Sequence, residues 1–165
     1  PDPESHHLRT LQHALQLRLK VEGFGSIQDI ALFFDYCSIP QHGEQGDPSS
    51  PTTGVKRTDD EERLFRRALQ QVNLTYANQQ VEVWMMQWVP QEERRKYMMR
   101  GWPFFERAIS SLIKDHTKLC LVGQECQQYL DWAQCIKDNK GSRQIPMTPT
   151  KFEEALAYKS FTNGK

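Results

Sequence analysis

A chain of 165 residues is long enough to bury a substantial core and fits a single domain. Its 21 basic and 21 acidic residues cancel, which removes any general pull towards nucleic acid or an anionic membrane and sets both aside as partners. No apolar run reaches the length of a bilayer, and the first twenty residues hold His, Gln and Arg where a secretion signal needs an apolar block, so a cytoplasmic protein is expected.

Leu8, Leu11, Leu15 and Leu19 recur at helical spacing and predict an amphipathic helix over His6 to Val21 with those leucines inward, ended by Gly23 and Gly25. His6, His7 and His13 in that helix read as surface residues, since adjacent histidines share no face and no Cys or carboxylate completes a ligand set, so no metal is expected. Ile30 to Phe34 is a continuous apolar run, the pattern of a strand covered on both faces. Asp35, Tyr36 and Ser38 follow at its carboxyl end, where open α/β sheets bind ligands. A turn fixed by Asp35 and Pro40 accounts for the same residues equally well.

His42 to Val55 is a loop rich in Gly, Pro, Ser and Thr. Thr58 caps the next helix, with Asp59, Asp60, Glu61 and Glu62 in its first turn as the helix dipole favours and Leu64, Phe65, Ala68, Leu69 and Val72 as its buried stripe. Val81 to Val89 reads as an interior strand whose Trp84, Met85, Met86 and Trp88 are core rather than a cofactor box. Lys118 to Gly123 is a second short buried strand.

Glu125 to Lys137 is expected as one helix with Cys126, Leu130 and Ala133 inward, and Thr150 with Glu153 as the capping box of a last helix. The cysteines, Cys37, Cys120, Cys126 and Cys135, lack C-x-x-C spacing and are expected reduced. On one continuous helix Cys126 and Cys135 would lie about 13 Å apart along the axis, too far to bridge. Alternating helices and buried strands imply an α/β fold with a parallel sheet flanked by helices.

Tyr97 to Glu106, Y-M-M-R-G-W-P-F-F-E, joins the interior strand to an apolar-striped segment. Pro103 has its φ preset and lacks an N–H, so a helix is predicted to begin at Trp102 to Pro103, with Glu106 in its first turn and charged beside the positive end of the dipole. Arg57 and Arg100 can clamp phosphates bidentately, and Trp102 or Tyr36 can stack on a base. A first-turn Glu is equally an ordinary helix stabiliser, with a nearby Arg as its ion-pair partner.

Trp102-Pro-Phe-Phe-Glu106 resembles the W-C-x-x-E signature of Toll/interleukin receptor (TIR) domains, with Pro103 in place of the usual Cys. Together with D-Y-C-S-I-P-Q from Asp35, R-T-x-x-E from Arg57 and F-T-N-G-K from Phe161, the whole chain is similar to a group of uncharacterised eukaryotic TIR-like proteins. The resemblance implies a flavodoxin-like parallel sheet whose first strand is missing from this chain, which is then expected to be a fragment of a longer protein. It implies one of two roles. One is binding or cleavage of a nicotinamide–adenine nucleotide, with NAD as substrate rather than cofactor and Glu106 as the catalytic carboxylate. The other is a self-associating signalling module that partners another TIR-like domain or its own copy.

Overall fold

In the computed structural model, which describes residues 5–20, 30–34, 38–40, 56–88 and 96–161, strand β1 (Val83–Met85) pairs in parallel with β2 (Leu119–Leu121). The register sets Val83, Trp84 and Met85 opposite Leu119, Cys120 and Leu121. Side chains alternate between the two faces of such a ladder, and both faces are covered. Cys120 joins Ala14, Leu17, Val122, Cys126, Trp132 and Cys135 in one buried cluster with Trp84 packed against it. Val83, Met85 and Leu119 form another, flanked by Tyr76, Val81, Tyr97 and Leu121. The apolar runs predicted as interior strands are therefore strands covered on both faces, with β1 narrower than Val81 to Val89.

The chain divides into two compact units. The described residues of the first unit are 30–34, 38–40 and 56–73. The predicted strand over Ile30 to Phe34 does not form: those residues have no regular structure, and Leu32 and Phe33 are 46% and 42% exposed. A local alternative takes up the backbone, since the Phe34 N–H donates to the Ser38 hydroxyl at 2.9 Å and the Ser38 N–H to the Phe34 carbonyl at 2.8 Å.

Helix α2 (Asp59–Ala77) begins as expected. The Thr58 N–H donates to the Glu61 carboxylate at 2.8 Å while the Glu61 N–H reaches back to the Thr58 hydroxyl at 3.3 Å, a reciprocal capping box. The backbone and hydroxyl of Thr58 hold the Glu61 carboxyl below its ordinary range, and Arg66 with Arg57 does so for Glu62. The predicted buried stripe is not realised: Leu64 and Leu69 are exposed, and Phe65, Ala68 and Val72 are half-buried.

The second unit holds α1 (His6–Leu19), α3 (Gly101–Ile113), α4 (Trp132–Asn139), α5 (Pro149–Ala157) and the sheet. Helix α1 buries Thr10, Leu11, Ala14 and Leu17, leaving Leu8 and Leu19 exposed and Leu15 half-buried, so its inward face is rotated from the leucine stripe. Ala14, fully buried, lets the helix approach the core closely. Helix α3 crosses between the two parallel strands, as a βαβ unit requires.

Glu125 to Lys137 is not one helix. A 3₁₀ segment, Gln124–Gln128, precedes α4, which Asp131 caps by accepting from the Gln134 N–H at 2.9 Å. An aspartate inside a helical run competes for backbone donors, so the helix restarts with a new register. Leu130 is consequently 92% exposed, Ala133 is exposed, and Trp132 becomes the buried residue. Helix α5 is capped two residues earlier than predicted, by Thr148 in place of Thr150, with Pro149 at its first position.

Lys114 is fully buried, its ammonium donating to the Asn78 carbonyl just beyond α2, and burial pushes its pKa down with Lys118 adding to the effect. Cys120, Cys126 and Cys135 are buried free thiols, in keeping with the expected reduced state; Cys37, the glycines at 23 and 25, and the loop at 42–55 lie outside the described residues.

Gly141 lies against β2. Its N–H donates to the Leu119 carbonyl at 2.6 Å, and a Cβ there would meet that same carbonyl at 3.2 Å and the Met85 methyl at 2.6 Å. Gly141→Ala is expected to lower stability by about 1–3 kcal/mol in urea titrations, as an overpacked core does, whereas at Gly123 a methyl meets the flexible end of exposed Glu125 and the cost is small.

Burial pushes the Cys120 and Cys135 thiols up from an ordinary value near 9 to about 12. The folded state thus holds these protons where the unfolded chain releases them. The stability this contributes is complete below pH 9 and is lost as pH rises through about 12. Urea midpoints measured across pH 9 to 12 should fall for the wild type and fall less for Cys120→Val.

Candidate functional site

Helix α3 begins at Gly101, earlier than Pro103, because Arg100 stays extended at φ −86°, ψ 134° as the capping residue. The Gly101 N–H donates to the Ser160 carbonyl at 2.8 Å, the Ser160 N–H to the Met99 carbonyl at 3.0 Å, and Arg100 bridges Ser160 in parallel. The chain after α5 therefore clasps the junction. Phe161 lies where a Cβ on Gly101 would stand, so the R-G-W glycine makes room for an aromatic ring from the other end of the chain.

With Gly101 as the first helical residue, Glu106 falls in the second turn, and no acidic residue occupies the first. This corrects the expected placement. The dipole acts within the first turn, so its contribution to holding Glu106 charged is small. What stands beside Glu106 instead is Tyr97, a half-buried residue of the 3₁₀ segment Tyr97–Met99. Burial, and next the Glu106 carboxylate, push the Tyr97 phenol up to about 12, while Arg107 and Arg100 act in the opposite direction. Glu106 is itself half-buried.

Trp102 is 41% exposed and meets Phe105 and Phe161 in edge-to-face contacts, with ring centroids 6.1 and 5.9 Å away. Its neighbour Phe104 is buried, stacked on Phe152 of α5 at 5.6 Å and overlain by the Lys159 ammonium at 4.7 Å. Consecutive aromatics thus divide the work: Phe104 holds the helix down and Trp102 faces outward.

Arg100, Trp102 and Glu106 lie together on one segment that follows β1. Ser38 and Arg57 belong to the other unit, and Asp35 and Tyr36 lie outside the described residues. The Arg57 side chain, 7% exposed, donates to the Pro40 carbonyl at 2.7 Å and to Glu62 at 3.0 Å, and its guanidinium lies 3.4 Å over the Phe65 ring. These contacts anchor the start of α2. Ser38 accepts from the Phe34 N–H.

Two residues given no role in the sequence reading belong to this neighbourhood. Tyr97 opens the motif, and its position four residues before Gly101 is the signal that was available. Arg107 is, with Glu106, one of two charged residues in the thirteen of α3, an anomaly visible in the sequence. Among the described residues no group of His, Cys, Asp and Glu is arranged to hold a metal ion.

Comparison with family models, with curated proteins and with solved structures yields no match.

The Glu106 charge next to Tyr97 has a direct optical consequence. Glu106→Gln should lower the Tyr97 pKa from about 12 while leaving it above the ordinary 10, because burial is the larger cause. Spectrophotometric titration of phenolate absorbance, compared with a Tyr97→Phe control, checks this.

Proposed function

We propose that this chain is a TIR-like domain that binds and cleaves a nicotinamide–adenine dinucleotide, with Glu106 as the catalytic carboxylate. The observation that supports the reading is the grouping of a half-buried Glu106 with an outward Trp102 and the capping Arg100 on the segment that follows a parallel strand. In open α/β sheets ligands bind beyond the carboxyl ends of strands.

The chemistry asks for little beyond a well-placed negative charge. Nicotinamide leaves its ribose as a neutral base, taking the bonding electron pair, and the sugar is left as an oxocarbenium ion. An ionised Glu106 stabilises that ion by charge and by accepting from ribose hydroxyls, as carboxylates do in glycosidases. Water then adds to the ribosyl carbon and releases a proton, giving ADP-ribose. Trp102 supplies a flat apolar surface for a base and Arg100 a fork for phosphate.

A second reading, a self-associating module without catalysis, is favoured by exposed apolar side chains on the second unit: Leu112 and Ile113 at the end of α3, Leu130, Ile145 and Tyr158. Isolated apolar residues on a surface are ordinary. Their number here makes self-association worth measuring.

The deciding experiment is nicotinamide release from NAD by wild type and Glu106→Gln at matched thermal stability. Loss of the charge should reduce turnover by about 100-fold or more. Equal turnover in both ends the catalytic assignment, and absence of turnover in both, with concentration-dependent sedimentation of the wild type, favours the assembly module.

A further inference from the structure

Arg107 places a cation against hydrogen-bond acceptors that carry no charge. Its Nη2 donates to the Ser142 hydroxyl at 3.1 Å and its Nη1 to the Met98 thioether at 3.2 Å, both neutral acceptors and the second a weak one. Its Nε is buried and has no hydrogen-bond partner, and no carboxylate pairs with it among the described residues. One turn further along α3, Ser110 is fully buried with its hydroxyl also unpartnered.

A partly desolvated guanidinium is costly unless a negative group compensates it. Arg57 has Glu62, and Arg18 has Glu82 at 3.0 Å through a two-pronged contact. Arg143, close to Ser142 in sequence, spends its guanidinium on the Ser111 and Leu112 carbonyls at 3.0 and 2.6 Å, where the end of α3 carries partial negative charge. Arg107 differs from these three, and the surroundings add further positive charge, since Lys159 donates to the Met98 carbonyl at 2.9 Å beside the sulfur that Arg107 touches.

We propose that Arg107 and Ser142 form a binding site for a phosphate-class oxyanion. The guanidinium protons that Met98 and Ser142 leave free supply donors in a rigid plane, and the exposed Ser142 hydroxyl, while accepting from Nη2, donates its own proton to the same ligand. A guanidinium fork joined by a hydroxyl donor suits the several oxygens of a phosphate. The site does not depend on Glu106 being catalytic. It serves either a free phosphate or the diphosphate of a nucleotide.

Calorimetric titration of the full chain with inorganic pyrophosphate, at ionic strength held constant with sodium chloride, should show saturable binding. Arg107→Lys, which keeps the charge and loses the fork, should weaken it about tenfold, and Arg107→Met should remove it. Without ligand, Arg107→Met should be as stable as wild type or more so, because it removes an uncompensated charge, whereas a purely structural Arg107 would leave the variant less stable. Ser142→Ala, at an exposed position, offers a milder variant with weaker binding and an intact fold. Titration with inorganic phosphate and with ADP separates the two sources. Absence of saturable binding by all three, binding unchanged in Arg107→Met, or an equal response to malonate overturns the proposal.

Discussion

The pairing of β1 with β2 is the constraint on which the second unit depends. Three residues per strand give few ladder bonds, and an isolated pair of strands that short is not stable in water. What holds it is burial on both faces. Leu119, fully buried, contributes about 1.5–3 kcal/mol by removal from water, and Cys120 next to it faces the opposite cluster. Because adjacent residues point to opposite faces, a slip by one position would exchange both sets, so the register is fixed by packing more than by hydrogen bonds. The edge of β2 is covered in turn by Lys140, which bridges Cys120, and by Gly141.

That sheet also determines where the candidate site lies. Parallel strands need a crossover, and the crossover here is α3. Its start is fixed from two directions: Phe104 stacks under Phe152, and the backbone of Ser160 ties Gly101 and Met99. The segment carrying Arg100, Trp102 and Glu106 is therefore held by contacts from the far end of the chain, and a change in α5 reaches the site through the backbone clasp. Phe161 filling the place of a Cβ on Gly101 makes the coupling steric as well.

Legibility in the sequence follows how local each cause is. The start of α2 was readable because Thr58 and Glu61 act on each other within one turn. The strand at Leu119 was readable because unbroken apolar residues suit a position covered on both sides. Ile30 to Phe34 has the same pattern and forms no strand, since a strand needs a neighbour and composition does not provide one. The inward face of α1 was misread because Ala14 is valued for its small size in contact, not for its hydrophobicity. The break before α4 depends on whether Asp131 caps or merely faces solvent, and a single helical turn of sequence does not separate the two. For the site, the motif residues were readable, but the placement of Glu106 was not. It follows from the long-range bond between Gly101 and Ser160.

The adjacent charges of α3 bear on both functional proposals. Residues i and i+1 on a helix diverge by about 100°, so Glu106 and Arg107 do not neutralise each other as partners three or four apart would. Tyr97 senses both with opposite effect, and Arg107 reaches on to Ser142 in the segment after α4. An otherwise apolar crossover helix that only had to pack would gain from Leu or Ala at either position. A half-buried Arg107 whose hydrogen-bond partners are neutral costs stability, and such costs are retained where a ligand supplies the compensation. A phosphate facing Arg107 would supply it, and in a nicotinamide–adenine dinucleotide the diphosphate at Arg107 would be joined directly to the cationic nicotinamide ribosyl group proposed to face Glu106.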